Sequence, residues 1–410
     1  MPGKPATGEA VRKIGSPDPL ALPVRWGVRR LLGEPLTGAL TVVFPSGHRS
    51  TFGSSREDDH PTVTLKTYRA LWKVLRRGAN GFAEAYMDQD IDCSDLTGLF
   101  HFILDNWQRF RRSGQYMLRV GRSDRAAHRS RRNSRSNSRR NITEHYDLGN
   151  EFFRLWLDPD MVYSSGLYAH EAMSLHEAQT AKLRRILELL ELSGGETILE
   201  IGFGWGAFAR LAAERHGAHV TGLTLSSEQL ELARKQAAEK DLQDRCTFVL
   251  RDYRDTGGRF DHIVSIEMIE AVGEEYWPDY FRCLADRLVS GGSAVVQAIT
   301  IDEALFDDYR RTADFIQRYI FPGGMLPTKT IMEEQARAVG LRIDHREHFR
   351  RSYARTLREW RNRFEEAWPK IAKLGFDENF RRRWLYYLAY CEAGFDAGTI
   401  DVGIYRMRKA

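Results

Sequence analysis

Glu200-Ile-Gly-Phe-Gly-Trp-Gly206 sets three glycines at alternate positions directly after the apolar run Thr197-Ile198-Leu199. The chemistry open to such a stretch is the cradling of a ligand by backbone. Without Cβ atoms, Gly202, Gly204 and Gly206 let a cofactor come close to the chain. The next run, Ala207-Phe208-Ala209-Arg210-Leu211-Ala212-Ala213, continues as a helix, so the ligand would lie in a strand-to-helix crevice. The spacing is G-x-G-x-G, whereas a dinucleotide fingerprint needs G-x-G-x-x-G. That tilts the reading from NAD toward S-adenosylmethionine, with a generic nucleotide turn and a purely structural tight turn as the competing readings.

The elements that must position this turn alternate along the chain. Strand-like runs at Thr197 to Ile201, His219 to Leu223, Cys246 to Leu250, His262 to Ile266 and Ala294 to Ile299 are separated by helix-like ones. This order predicts βαβ units and a parallel sheet. Ser174-Leu-His-Glu177 and Ser226-Ser-Glu-Gln229 read as capping boxes opening helices. From about Arg355 to Phe395 the chain is helical and rich in aromatic residues, among them Trp360, Phe364, Trp384 and Tyr387. Most of these read as core, though a long apolar substrate would need such a lining.

Upstream, Leu40 to Phe44, the turn Pro45-Ser-Gly47 and Arg49 to Gly53 predict a hairpin, with a further strand at Val63 to Leu65. Helices are expected over Tyr68 to Arg76 and Asp95 to Trp107. The organisation expected is a small α+β accessory, lipid-presenting domain over 1–120, a basic linker over 121–140 and a larger α/β domain over 141–410. The linker carries eight arginines against one acid between Arg122 and Arg140 and almost no apolar residue, so it cannot pack as core. It reads either as a solvated spacer or as an attachment to anionic lipid head groups, at about 1 kcal/mol per arginine near the surface. Nucleic acid is disfavoured because no aromatic residues interleave the arginines.

With 410 residues, 42% of them hydrophobic and 29% charged, the chain can bury a full core. No stretch approaches the roughly 18 to 20 apolar residues that span a bilayer, and Met1 to Pro23 lacks the apolar centre of a signal peptide. Cys93, Cys246, Cys283 and Cys391 lie far apart, so neither a disulfide framework nor a metal site is expected. A cytoplasmic protein, peripheral at the inner membrane face, fits best.

Several motifs in order then make the chain recognisable. Asn141-Ile-Thr-Glu-His-Tyr-Asp-Leu-Gly-Asn150, Met161-Val-Tyr-Ser-Ser165, the glycine turn, Leu223-Thr-Leu-Ser-Ser-Glu-Gln229, Asp252-Tyr-Arg254 and Tyr319-Ile-Phe-Pro-Gly-Gly-Met-Leu-Pro327 resemble the cyclopropane fatty acid synthase family. The resemblance implies a class I methyltransferase fold, a Rossmann-like seven-stranded sheet with helical lipid-covering insertions, whose final strand, Ile400 to Tyr405, inserts antiparallel. It implies S-adenosylmethionine contacts at Tyr163, Ser164, Gly202, Gly204, Gly206, Thr224, Leu225 and Gln229, with Asp252 and Tyr253 beside the adenine. It also implies methyl transfer to the double bond of a phospholipid acyl chain, and a homodimer. The other readings are a non-catalytic lipid-binding protein on a degenerate domain, or a methyltransferase for another small lipid.

An isolated alkene is a weak nucleophile, so it must be pressed against the sulfonium methyl in a dry pocket. Transfer leaves a carbocation, for which the faces of Tyr253, Phe321 or the tyrosines near Tyr387 are candidates. Proton loss from the new methyl with ring closure gives a cyclopropane. A hydride shift followed by that loss gives a methylene branch. In cyclopropane-forming relatives a bicarbonate ion is the base, and the resemblance places its ligands at Glu270, Ile299, Tyr353, Ser165 (a cysteine in the family) and Gln297 (a histidine). The serine and glutamine side chains are expected to donate to an anion still. The family's Glu-His pair is Glu270-Ala271 here, and a family glycine is replaced by Glu267. Two buried acids so close are expected to raise one another's pKa, a setting suited to a general base. The expectation is that Glu267 with Glu270 replaces or repositions the base, as in the branch of the family that makes methylene or methyl-branched chains.

Overall fold

The computed structural model describes residues 36–54, 60–107 and 148–409, with Leu22, Pro23, Trp26 and Asn137 as isolated positions. The arginine-rich segment and the Asn141 to Asp147 part of the first family motif lie outside the described residues. The chain divides into two compact units, 1–118 and 119–410.

In the first unit, β1 (Ala39–Val43) and β2 (Arg49–Gly53) form the expected antiparallel hairpin. Strand β3 (Thr62–Leu65) pairs parallel with β1, and β4 (Ile91–Cys93) pairs antiparallel with β3. Helix α1 runs over Arg69–Met87, farther than expected, because it continues past a kink at Gly78, whose φ of 56° and ψ of −130° are open to glycine. Helix α2 covers Leu96–Asp105.

The second unit is built on a seven-stranded sheet. Its strands are β5 (Thr197–Ile201), β6 (His219–Thr224), β7 (Cys246–Leu250), β8 (Phe260–Ile266), β9 (Leu288–Ile301), β10 (Leu341–His348) and β11 (Ile400–Lys409), ordered β10-β11-β9-β8-β5-β6-β7. Strands β5 to β9 pair in parallel, and β11 enters antiparallel between β9 and β10. The sheet buries both faces, as the near-continuous apolar strands require. Ile198, Val220, Val264 and Val295 pack with Leu183, Ile186 and Leu190 of α4 (Leu175–Leu190) and with α5 (Ala207–His216). Their neighbours Leu199, Leu223, Ile263 and Ala294 turn the other way, onto Tyr280 and Leu284 of α7 (Trp277–Arg287) and Met332 of α9 (Lys329–Ala338).

The connections carry α3 (Asn150–Arg154), α6 (Ser227–Ala238) and α8 (Glu303–Tyr309). The aromatic-rich stretch resolves into α10 (Arg350–Ile371) and α11 (Glu378–Ala397). Trp360 and Phe364 of the first and Trp384 of the second are buried, and Trp360 meets Trp156 edge-on at 5.7 Å. Among the described residues no helix is long and apolar enough to cross a membrane.

Candidate active site

The carboxyl ends of β5, β6 and β7 meet on one edge of the sheet, the usual place for a ligand in an open α/β fold. Gly202, Gly204 and Gly206 take φ of 84°, 56° and 81°, a run of left-handed conformations that explains glycine at all three. The turn is pinned from outside. The Gly202 and Phe203 amides donate to the Leu223 carbonyl at 3.0 and 3.2 Å, tying it to β6. The Trp205 indole donates to Asn150 Oδ1 at 2.6 Å, and Asn150 Nδ2 donates to the Glu228 carboxylate at 2.9 Å. Glu200, directly before the turn, is buried with Oε2 unpartnered, and burial pushes its carboxyl up to about 8. A Cβ built on Gly204 would stand in open space, so the turn leaves room over its backbone that fits a cofactor such as S-adenosylmethionine.

Thr224 Oγ1 donates to Gln229 Oε1 at 2.8 Å, and both are buried. Ser226 caps α6, but Gln229 spends its side chain on Thr224, so the second expected capping box is only half formed, whereas Ser174 and Glu177 make both bonds of the first. Leu225, half-buried, lies between Thr224 and this cap. Asp252 caps the turn after β7 and grips Arg254 at 2.6 and 2.9 Å. Tyr253 meets Tyr280 edge-on at 5.8 Å and carries the Arg254 guanidinium 5.6 Å over its ring. Phe321 and Tyr387 contact each other at 6.0 Å, and the Tyr387 and Tyr163 hydroxyls are 3.0 Å apart. The three aromatic candidates therefore divide: Phe321 and Tyr387 form a pair, while Tyr253 is engaged elsewhere.

Three of the acid–base candidates converge on the carboxylate of a fourth. Glu267 Oε1 accepts from the Ser165 amide and from Gln297 Nε2, each at 2.8 Å, and Oε2 accepts from the Tyr353 hydroxyl at 2.5 Å. Glu267 itself sits at a φ of 49°, and its amide donates to the Gln297 carbonyl at 2.8 Å. Burial raises its pKa, opposed by Tyr353, the Ser165 amide, Lys182 and Gln297. The expected role of the serine side chain is corrected: Ser165 Oγ donates to the Gly166 carbonyl at 2.9 Å, leaving the backbone amide to face the carboxylate.

Glu270 stands beside this centre. Its Oε1 accepts from the Ile299 amide at 2.5 Å, and Oε2 is buried without a partner. Burial first, and the Glu267 charge second, push its carboxyl up to about 8. At neutral pH it is a neutral acid. Burial is the chief cause of both shifts, with the Glu267 charge second at Glu270. Both residues are half-buried.

Sequence reasoning passed over Gln179 and Lys182, polar residues on the apolar face of α4 whose only signal was their place among leucines. It also gave Asn150 and Glu200 no role, although both stood inside quoted motifs.

Residues 133–404 match the family model described as mycolic acid cyclopropane synthetase. The tuberculostearic acid methyltransferase of Mycobacterium tuberculosis is 40% identical over 342 residues, covering 80% of this chain and 79% of that protein. The cyclopropane-fatty-acyl-phospholipid synthase of Escherichia coli K12 is 34% identical, covering 83% and 86%. Among solved structures, a mycolic acid cyclopropane synthase complexed with SAH and CTAB superposes with a TM-score of 0.63 at 31% identity, covering 66% of this chain and 98% of that one. With the sheet order and the glycine turn, these matches place the chain in the cyclopropane synthase family, as an S-adenosylmethionine-dependent methyltransferase of lipid chains.

Proposed function

We propose that this enzyme transfers the S-adenosylmethionine methyl group to the double bond of an unsaturated fatty acyl chain of a membrane phospholipid, and that Glu267 is the base that ends the reaction, giving a methylene-branched chain. The observation that carries the reading is the position of the Glu267 carboxylate. It accepts from the Ser165 amide, Gln297 and Tyr353, three of the positions at which the family resemblance places bicarbonate ligands. With those donors occupied, bicarbonate does not fit here, and no step runs through it.

Bound S-adenosylmethionine supplies an electrophilic methyl on a sulfonium. Gly202 to Gly206, Thr224, Gln229, Asp252 and Tyr163 would hold it. The alkene π electrons take the methyl, leaving a cation on the neighbouring carbon beside Phe321 and Tyr387, whose faces stabilise positive charge. Because three donors fix the Glu267 carboxylate in place, it does not follow the cation to its first position, and the 1,2-hydride shift runs ahead of ring closure. The cation then stands on the methyl-bearing carbon. Glu267 takes a proton from that methyl, the C–H pair forms the exocyclic double bond, and atoms and charge balance. Glu270, neutral and unpartnered at Oε2, can accept the proton's onward passage only above about pH 8. At lower pH it serves as a donor.

The 40%-identical relative is named a tuberculostearic acid methyltransferase, and not a cyclopropane synthase, which favours a product other than the ring. The proposal extends to the remaining segments: the arginines between 122 and 140 attach the enzyme to an anionic inner membrane face, residues 1–120 present lipid, and the enzyme works as a homodimer. Proton NMR of lipid recovered after incubation with S-adenosylmethionine and monounsaturated phospholipid vesicles tests the reading. Vinylidene protons are expected, and upfield cyclopropane ring protons would overturn the product assignment.

A further inference from the structure

Gln179 and Lys182, one turn apart on α4, are both buried, Lys182 with 0% of its surface exposed. Desolvating an ammonium is costly unless it is partnered. Lys182 Nζ donates to Ser164 Oγ at 2.6 Å, and Gln179 Nε2 donates to the Ser164 carbonyl at 2.7 Å and the Val162 carbonyl at 3.4 Å. Both side chains thus end on the segment 162–164. The next amide along, that of Ser165, is the one that reaches Glu267 at 2.8 Å.

The charges around the ammonium narrow its role. Burial pushes Lys182 down to about 8, held up by Glu267 after β8, Asp158 after α3 and Glu200 on β5. Asp158 is committed to the Val162 amide at 2.7 Å and His176 at 3.0 Å. Glu200, raised to about 8, is protonated at pH 7 and also faces Arg210 of α5. Glu267 is the acid whose hydrogen bonds favour its charged form. Besides Lys182 it faces Tyr353 and Tyr387 from α10 and α11, Gln297 from β9, and neutral Glu270. None of these carries positive charge.

We propose that Lys182 is a positioning residue of the reaction: through Ser164 it fixes the segment whose Ser165 amide holds Glu267, and its ammonium is the cation that favours the charged form of that carboxylate. The role in turnover rests on Glu267 being the base, whereas the coupling between Lys182 and Glu267 does not. The test reads the coupling without turnover. In the full-length protein, the infrared carboxylic-acid C=O band that Glu267→Gln removes is titrated against pH. In Lys182→Met its midpoint is expected to rise by about one pH unit or more, the usual effect of losing an opposite charge. The acid limb of the kcat profile should move with it. Should Lys182→Met fail to fold, Ser164→Ala removes the anchor of Nζ at the cost of one hydroxyl, and is expected to move the midpoint in the same direction by less. An unmoved midpoint overturns the inference whether or not Glu267 is the base, as does a kcat lowered equally at every pH. Undiminished turnover by Glu267→Gln overturns the base assignment, and with it the part of Lys182 in the reaction, wherever the midpoint lies.

Discussion

Replacing Glu267 by glutamine removes a base and almost nothing else. The amide keeps the shape of the carboxylate, its oxygen still accepts from the Ser165 amide, and the Tyr353 hydroxyl can turn to accept from the new NH₂. Lys182 loses a counter-charge, but its ammonium is already down to about 8 and can shed the proton. The folded state therefore loses little, and the unfolding temperature should stay within a few degrees of wild type. Turnover should not. A positioned general base contributes about 10²- to 10⁴-fold, or about 2.7 to 5.5 kcal/mol of barrier at 1.36 kcal/mol per tenfold. We expect kcat to fall by that factor with the KM for S-adenosylmethionine unchanged, since the cofactor residues on β5, β6 and β7 are untouched. The assay is initial-rate formation of S-adenosylhomocysteine on monounsaturated phospholipid vesicles, with the lipid product identified by proton NMR. A loss smaller than tenfold, with the product unchanged, refutes the assignment of the base.

Glu270 offers a test by stability. Its folded pKa, about 8, lies above its unfolded value near 4.5, so the folded state holds the extra proton across that window. The stability this confers is complete below about pH 4.5 and is lost as pH rises through 8, on the order of a few kcal/mol. Thermal unfolding of Glu270→Gln should show a shallower decline between pH 5 and 9 than wild type, and equal slopes would refute the shift. Gly204→Ala places a Cβ in open space at a φ of 56°, whereas Gly206→Ala drives one to 2.9 Å from the Phe248 ring at a φ of 81°. The first should raise the KM for S-adenosylmethionine and lower the unfolding temperature by its left-handed strain alone, and the second, with a clash added to that strain, should lower the unfolding temperature further; calorimetry beside cofactor titration separates them. Tyr353→Phe keeps the 4.3 Å stack on Phe395 and removes one donor from Glu267. The acid limb of its kcat profile should move to higher pH, because that bond lowers the Glu267 pKa.

The sheet was legible because its strands are apolar, β-branched and separated by capped helices, a pattern that admits few other folds. Strand β10 was not. Leu341 to His348 alternates charged residues along an edge, where Asp344 pairs with Arg406 and Arg408, and such a strand reads as loop. The site was legible where backbone geometry forces residue type, as at the glycine turn, and where motifs carried the family. It was not legible where a side chain's direction decides its role. Nothing in Ser165 as a letter says that its hydroxyl turns to Gly166 and its amide to Glu267. Gln179 and Lys182 escaped notice because helix periodicity assigns their face to the core, and burial there marks charge only once the partners are seen.

The backbone at Glu267 says what glycine would do there. A non-glycine residue at a φ of 49° costs on the order of 1 to 3 kcal/mol unless its surroundings hold it. Here they do, through the amide bond to the Gln297 carbonyl and three bonds to the carboxylate. Glu267→Gly removes the strain along with the side chain, so the fold should survive. The Ser165 amide, Gln297 Nε2 and the Tyr353 hydroxyl would still converge on the vacated place, a set of donors aimed at an anion. Added formate or bicarbonate should then restore part of the turnover that the variant loses, with half-restoration at a definite anion concentration. The recovered lipid should shift toward cyclopropane, because a free anion is not fixed by a tether and can take the methyl proton before the hydride moves. Wild type, whose donors are filled, should show neither response. If Glu267→Gly leaves both rate and product as they were, the carboxylate has no part in deprotonation, and its three hydrogen bonds are architecture alone.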